Sequence, residues 1–149
     1  MPVQLITARA AAFTVAALSV LIWPAEPQAL TLGDPALNYV ESTTTIATSG
    51  MPTRRQLAKL AAGRAAVINL APSDALGSHD DEQAIVEKAG ARYVHVPVDF
   101  SRPRHSDLER FTREMRELAG KPVFVHCQLN MRASVFVFLY RVTELGEAL

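Results

Sequence analysis

These 149 residues predict an α/β domain, a mainly parallel β-sheet covered by helices. Three observations carry the prediction. Short β-branched or apolar runs alternate with stretches of helical periodicity. The connections between them are too short for anything but right-handed crossovers. The composition, 49% apolar and 20% charged, is that of one domain with a sizeable core.

Asn38 to Ala47 is β-branched and bounded by Gly and Pro on both sides, which predicts the first strand. Thr53 with Gln56 three residues later makes a capping-box pattern just after Pro52, and Leu57, Leu60 and Ala61 then recur at helical spacing up to Gly63. Ala65 to Leu70 is an apolar run of the kind buried on both faces of a parallel sheet, ended by the turn residues Pro72, Ser73, Asp74 and Gly77. Asp80 to Ala89 reads as a helix with Ile85, Val86 and Ala89 on one side and Gly90 as its stop. Its start, His79-Asp80-Asp81-Glu82, reads as solvated. Arg92 to Val98 is the next strand, closed by Pro97. After the polar loop Ser101 to His105, Ser106 with Glu109 gives a second capping-box pattern ahead of the stripe Leu108, Phe111, Met115 and Leu118, and Gly120 ends that helix. Val123 to His126 is a four-residue apolar strand. The helix from Met131 to Leu145 is hydrophobic nearly all round, so it is expected to be buried.

Fifteen acidic residues balance fifteen basic ones, so no net field gathers phosphate backbones and nucleic-acid binding is disfavoured. Cys127 is the only cysteine, which excludes an internal disulfide and a cysteine-based zinc cluster. His79, His95 and His105 show no metal-ligand spacing, so no metal is expected.

The N-terminus differs from the rest. Met1 to Arg9 carries one positive charge and no acid, and Ala10 to Ala25 is an uncharged run rich in Ala, Val, Leu and Ile. This reads as a signal peptide over residues 1–29 followed by a domain over 30–149, exported to the periplasm. The run falls short of the roughly twenty residues that span a bilayer as a helix, so no stable membrane anchor is expected. A buried N-terminal helix is the alternative.

In parallel sheets, ligands bind at the carboxyl ends of the strands, where loops enter helix N-termini. The segment His126-Cys127-Gln128-Leu129-Asn130-Met131-Arg132-Ala133-Ser134 sits at such an end. A cysteine leaving a buried strand into a tight loop and then a helix has the helix's N-terminal amides and positive dipole end beside its sulfur, which favours thiolate. The same amides can cradle an anion, with Gln128, Leu129, Asn130 and Met131 supplying the loop. Arg132 can bind two oxygens of a phosphate or sulfate with its planar fork, and Ser134 can donate to the sulfur. Asn130 is the non-glycine type that best tolerates the positive φ of a tight turn. The plainer alternative is a small buried cysteine with Arg132 on the surface of the last helix.

This segment resembles the cysteine-containing phosphate loop of protein tyrosine and dual-specificity phosphatases: His-Cys, five residues, Arg, then Ser or Thr. Here four residues separate Cys127 from Arg132, the length seen in rhodanese sulfurtransferases, while Ser134 keeps the family's hydroxyl position relative to the cysteine. The chain from about Asn38 to Val142 further resembles the phosphatase-like domains related to beta-lactamase hydrolase-like proteins. The likeness rests on Ile46 to Thr53, Val67 to Leu70, Val94 to Phe100, the cysteine loop, and Phe138 to Val142. It implies a three-layer cysteine-phosphatase fold, Cys127 as nucleophile, no cofactor, and a supporting role for His126. It also implies a phosphorylated or sulfane-sulfur substrate, either a small molecule or a protein. Relatives of this kind tend to continue past the last helix with a further one.

In those phosphatases an upstream aspartate protonates the leaving oxygen and then activates water. Asp99, at the carboxyl end of a predicted strand, is the candidate, with Asp107 as alternate. Asp99 could instead pair with Arg102 or Arg104, two arginines otherwise placed to attract an anion. Three functions therefore stand: a cysteine-dependent phosphatase using Cys127, Arg132 and Asp99; a sulfurtransferase using a Cys127 persulfide; and an inert anion-binding module.

Overall fold

The computed structural model describes residues 35–148. The signal peptide expected over residues 1–29 lies outside them. Among the described residues no helix is long and apolar enough to cross a membrane, and no cluster of His, Cys, Asp and Glu could hold a metal ion.

Five strands form one sheet: β1 (Val40–Glu41), β2 (Ile46–Ser49), β3 (Ala66–Asn69), β4 (Arg92–His95) and β5 (Val123–His126). Their order across the sheet is β1-β2-β5-β3-β4, parallel except for the β1–β2 pair. The helices are α1 (Arg54–Ala61), α2 (Glu82–Lys88), α3 (His105–Glu117) and α4 (Met131–Thr143). Strand alternation sends side chains to two cores. Ile68, Val94, Val123 and Val125 meet Phe111 and Met115 of α3 and Phe136, Val137 and Tyr140 of α4. Val67 and Phe124 meet Leu57, Leu60 and Ala61 of α1 and Val86 of α2. The result is three layers, as expected. Full burial of side chains such as Leu57, Phe111 and Phe124 contributes about 1.5–3 kcal/mol each.

Several sequence expectations need correction. The single strand expected over Asn38 to Ala47 is a hairpin, because Thr43 Oγ1 accepts the amides of Thr45 and Ile46 and turns the chain, a side-chain bond that competes with the ladder. The α3 cap is not Ser106. Asp107 reaches back to the Arg104 amide at 3.0 Å, so the helix starts at His105, and Glu109 pairs instead with His105 one turn back. The strand expected to reach Val98 ends at His95, although Val96 and Val98 still donate to the carbonyls of Asn69 and Leu70. The α4 helix is buried on one face only. Ala133, Phe136, Val137 and Tyr140 face the sheet, whereas Met131, Val135 and Phe138 are about half exposed because no described element covers them. Glu82 is not solvated but 2% exposed, since it falls one turn before Val86 on the inward face of α2.

The α1 capping box forms as expected. The Thr53 amide donates to Gln56 Oε1 at 2.8 Å and the Gln56 amide to Thr53 Oγ1 at 3.3 Å.

The connections leave the carboxyl edge in opposite directions. β2 and β3 feed helices on one face, while β5 between them feeds α4 on the other. Such a reversal opens a crevice at the end of the middle strand. Cys127 is the first residue past the end of β5.

Candidate active site

Cys127 faces the α3–α4 core and is 1% exposed. Its amide donates to the Ser49 carbonyl at 3.2 Å, which ties the start of the loop to the end of β2. Three residues on, Asn130 takes φ 69° and ψ −4°, the left-handed conformation that lets so short a loop turn into α4. The loop's carbonyls are held from outside. Gln128 O accepts the Met51 amide at 3.0 Å, and Leu129 O accepts Asn38 Nδ2 at 3.1 Å. Among the described residues no carbonyl takes the N–H groups of Gln128, Leu129, Met131, Arg132 and Ala133, so these are donors available to an anion, while the Asn130 N–H faces Ser49 O in the antiparallel Gly50–Leu129 bridge.

A cavity of about 120 Å³ opens on this loop, lined by Phe100, Cys127, Gln128, Leu129, Met131 and Arg132. The Arg132 guanidinium lies over the Phe100 ring, 5.4 Å from its centroid, and Arg132 Nε is buried without an acceptor. The structure thus brings Cys127, Gln128, Leu129, Met131 and Arg132 to one cavity, with Asn130 shaping the turn beneath it.

Ser134 and Asp99 do not line that cavity. Ser134 Oγ donates to the Met131 carbonyl at 3.1 Å, inside its own helix. Asp99 is exposed, and its Oδ1 accepts from the Ser101 amide at 2.9 Å and the Ser101 hydroxyl at 2.7 Å. These two bonds, the hydroxyl first, hold its carboxyl below the usual range. Asp99 is joined to the cavity through its neighbour Phe100, which stacks on Arg132. Asp107 serves the α3 cap.

His126 points the other way from Cys127, into the α1–α2 layer, where it is fully buried and stacked on Phe124. Burial pushes its pKa down to about 3.

Sequence reasoning missed two residues that shape this site, Asn38 and Glu82, and reached a third, Gly50, only as part of the stretch Thr48 to Pro52 expected at the rim. Gly50 packs so closely that a Cβ there would stand 3.0 Å from Gln128 O and 3.1 Å from Leu37 O; the signal was a glycine directly after an apolar strand. Asn38 clasps the loop from 91 positions away, which nothing local in the sequence could show. Glu82 lies behind His126, and its signal was a carboxylate in register with the stripe Ile85, Val86 and Ala89.

No protein-family model matches the chain. Beta-lactamase hydrolase-like proteins from two strains of Xylella fastidiosa are 30% identical over 112 residues, which cover 72% of this chain and 25% of theirs. The chain therefore spans about a quarter of the length of the curated relatives it matches. A solved structure from Shewanella putrefaciens CN-32, a DUF442 protein described as a phosphatase, is 35% identical with TM-score 0.72, covering 77% of this chain and 74% of that one. Tk-PTP in its active form is 27% identical with TM-score 0.63, covering 74% and 76%.

Proposed function

Because this chain belongs to the protein tyrosine and dual-specificity phosphatase-like superfamily, alongside DUF442 phosphatases and beta-lactamase hydrolase-like proteins, we propose that it is a cysteine-dependent phosphatase acting on a phosphoester. One observation carries the reading. Cys127, the acceptor-free amides of Gln128, Leu129, Met131 and Arg132 and the unpaired Arg132 Nε converge at one small cavity at the sheet's carboxyl edge.

The chemistry follows from those groups. The Cys127 thiolate attacks phosphorus while the loop amides and the Arg132 fork hold the non-bridging oxygens, whose charge grows as the ester bond breaks. The leaving oxygen takes a proton from Asp99. Water then attacks the phosphocysteine, Asp99 accepts its proton, and inorganic phosphate leaves with the thiolate restored. Asp99 must release Ser101 and swing over the cavity to do this, a movement that the Phe100–Arg132 stack couples to the anion site. No cofactor enters any step.

A second reading has its own support in the four-residue spacing between Cys127 and Arg132 and the small cavity it leaves. In it, Cys127 takes the sulfane sulfur of thiosulfate, releasing sulfite. The persulfide then passes that sulfur to an acceptor, which restores the thiolate without Asp99.

The test is hydrolysis of an aryl phosphate in parallel with thiosulfate-to-cyanide sulfur transfer, each against Cys127→Ser. Phosphate release that disappears in the variant supports the phosphatase. Thiocyanate formation that disappears supports sulfur transfer, and silence in both assays leaves an anion-binding module.

A further inference from the structure

The carboxyl ends of the four parallel strands carry one row of polar side chains. In register, Ser49 of β2 stands beside His126 of β5, His126 beside Asn69 of β3, and Asn69 beside His95 of β4. Strand alternation turns the row toward α1 and α2, away from Cys127. Glu82, the first residue of α2, lies over it. Glu82 Oε2 accepts Asn69 Nδ2 at 2.8 Å and the Tyr93 hydroxyl at 3.0 Å, and stands 3.6 Å from His126 Nε2. Glu82 Oε1 and both His126 ring nitrogens are buried without a hydrogen-bond partner. A buried polar group left unpaired costs about 1–3 kcal/mol, so closing the last fraction of an ångström between Glu82 Oε2 and His126 Nε2 gives the buried imidazole N–H the acceptor it lacks.

Resting on the reading of Cys127 as nucleophile, we propose that Glu82 is a positioning residue for the Cys127 loop: its carboxylate accepts the Nε2–H of His126 and locks the ring, and with it the backbone that turns into Cys127. His126 is held neutral by burial, so it has a single N–H to place, and Nε2 is the nitrogen that faces Glu82. The groups around the pair agree with this. His95 of β4 and His79 of the loop before α2 oppose a positive charge on His126. Tyr93 donates its hydroxyl to Glu82, and Asn69 Nδ2 donates to Glu82 and to the Tyr93 oxygen. A cavity of about 260 Å³, lined by Asn69, His79, Asp80, Glu82, Tyr93 and His95, brings solvent to the rear of the cluster, on the side away from the Cys127 cavity.

The test needs no substrate, because Cys127 is the only cysteine and its alkylation by iodoacetamide against pH reads the loop directly. Glu82→Met removes the acceptor at similar length, and Glu82→Gln keeps an acceptor without the charge. In the wild-type protein an exchange-protected imidazole N–H from His126 is expected by ¹⁵N-edited NMR. In Glu82→Met this resonance disappears and the alkylation midpoint rises by about half a pH unit, slowing the reaction about threefold at pH values below that midpoint. Glu82→Gln retains the resonance and shows no such rise. The direction is decisive, since losing a buried negative charge behind a thiolate would by itself lower the midpoint. Tyr93→Phe removes one donor to Glu82 and is expected to shift the midpoint the same way by less, which keeps the test open should Glu82→Met fail to fold. A folded Glu82→Met with an unchanged or lowered midpoint overturns the proposal, as does an unchanged Tyr93→Phe when the Met variant does not fold. If the midpoint rises in a protein that releases no phosphate, the positioning role stands and only the phosphatase reading fails.

Discussion

Asn130 Nδ2 donates to the main-chain oxygen of Asn38 at 2.6 Å, and both residues hold positive φ, 69° and 51°. Asn38 in turn donates to Leu129 O. The two asparagines thus close a clasp around the cysteine loop. Alanine at 130 loses the clasp and forces a Cβ-bearing residue without a polar group into the left-handed region, which costs about 1–2 kcal/mol. Asn130→Ala should lower unfolding stability by that order in denaturant titration and slow Cys127-dependent turnover. Asn130→Gly should recover most of the stability, because it restores the turn but not the clasp.

Gly50 presses on the loop from the other side. Its amide donates to Leu37 O at 2.6 Å, and a Cβ would meet two backbone oxygens that must give by a few tenths of an ångström. Backbone yields less easily than a side chain. Gly50→Ala should therefore destabilise the fold by about 1–3 kcal/mol and slow Cys127 alkylation by displacing Gln128, while Gly63→Ala, which also costs stability because Gly63 holds φ 74° but touches nothing near the loop, should leave alkylation at the wild-type rate.

Asp99 has to be protonated to serve as acid, so turnover falls as pH rises through its pKa. The Ser101 bonds favour the charged form and place that limb low. Ser101→Ala removes the hydroxyl donor and should move the limb to higher pH in a kcat/KM profile, which reports the free enzyme in which Asp99 holds Ser101. Asp99→Asn should cut aryl phosphate hydrolysis by about 10²-fold or more, with any sulfur transfer unaffected.

His126 makes stability depend on acid. Its folded pKa, about 3, lies below the unfolded value of about 6.5, so between these two the unfolded chain binds a proton that the folded one refuses. Stability present above pH 6.5 should be lost on acidification toward pH 3, by at most about 1.4 kcal/mol per pH unit. Thermal melts from pH 7 to pH 4 should show the decline. His126→Asn, which does not titrate, should flatten it.

The alternation of strands and helices was legible because each parallel strand here is a short apolar run and each helix carries its own cap or stripe. Thr53 and Gln56 act within four residues, so their capping box could be read directly. The Asn130 turn was legible for the same local reason. The hairpin before β2 was not, because a run of threonines suits a strand and a side-chain-bonded turn equally well. The α3 cap shifted for a related reason, since Ser106 and Asp107 compete for the same helix start and the carboxylate won by reaching Arg104.

By itself the sequence determined what local chemistry controls: three layers, a lone thiol at the end of a buried strand, and an arginine five residues beyond it at a helix start. Only the tertiary structure decided what surrounds that thiol. It brought Phe100 rather than Asp99 to the cavity wall, set Gly50 and Asn38 against the loop, turned Ser134 into its helix, and drew Glu82 under His126. Those contacts join residues far apart in the chain, and each depends on strand order and register. A sequence pattern records which face a residue prefers but not which neighbour that face will meet.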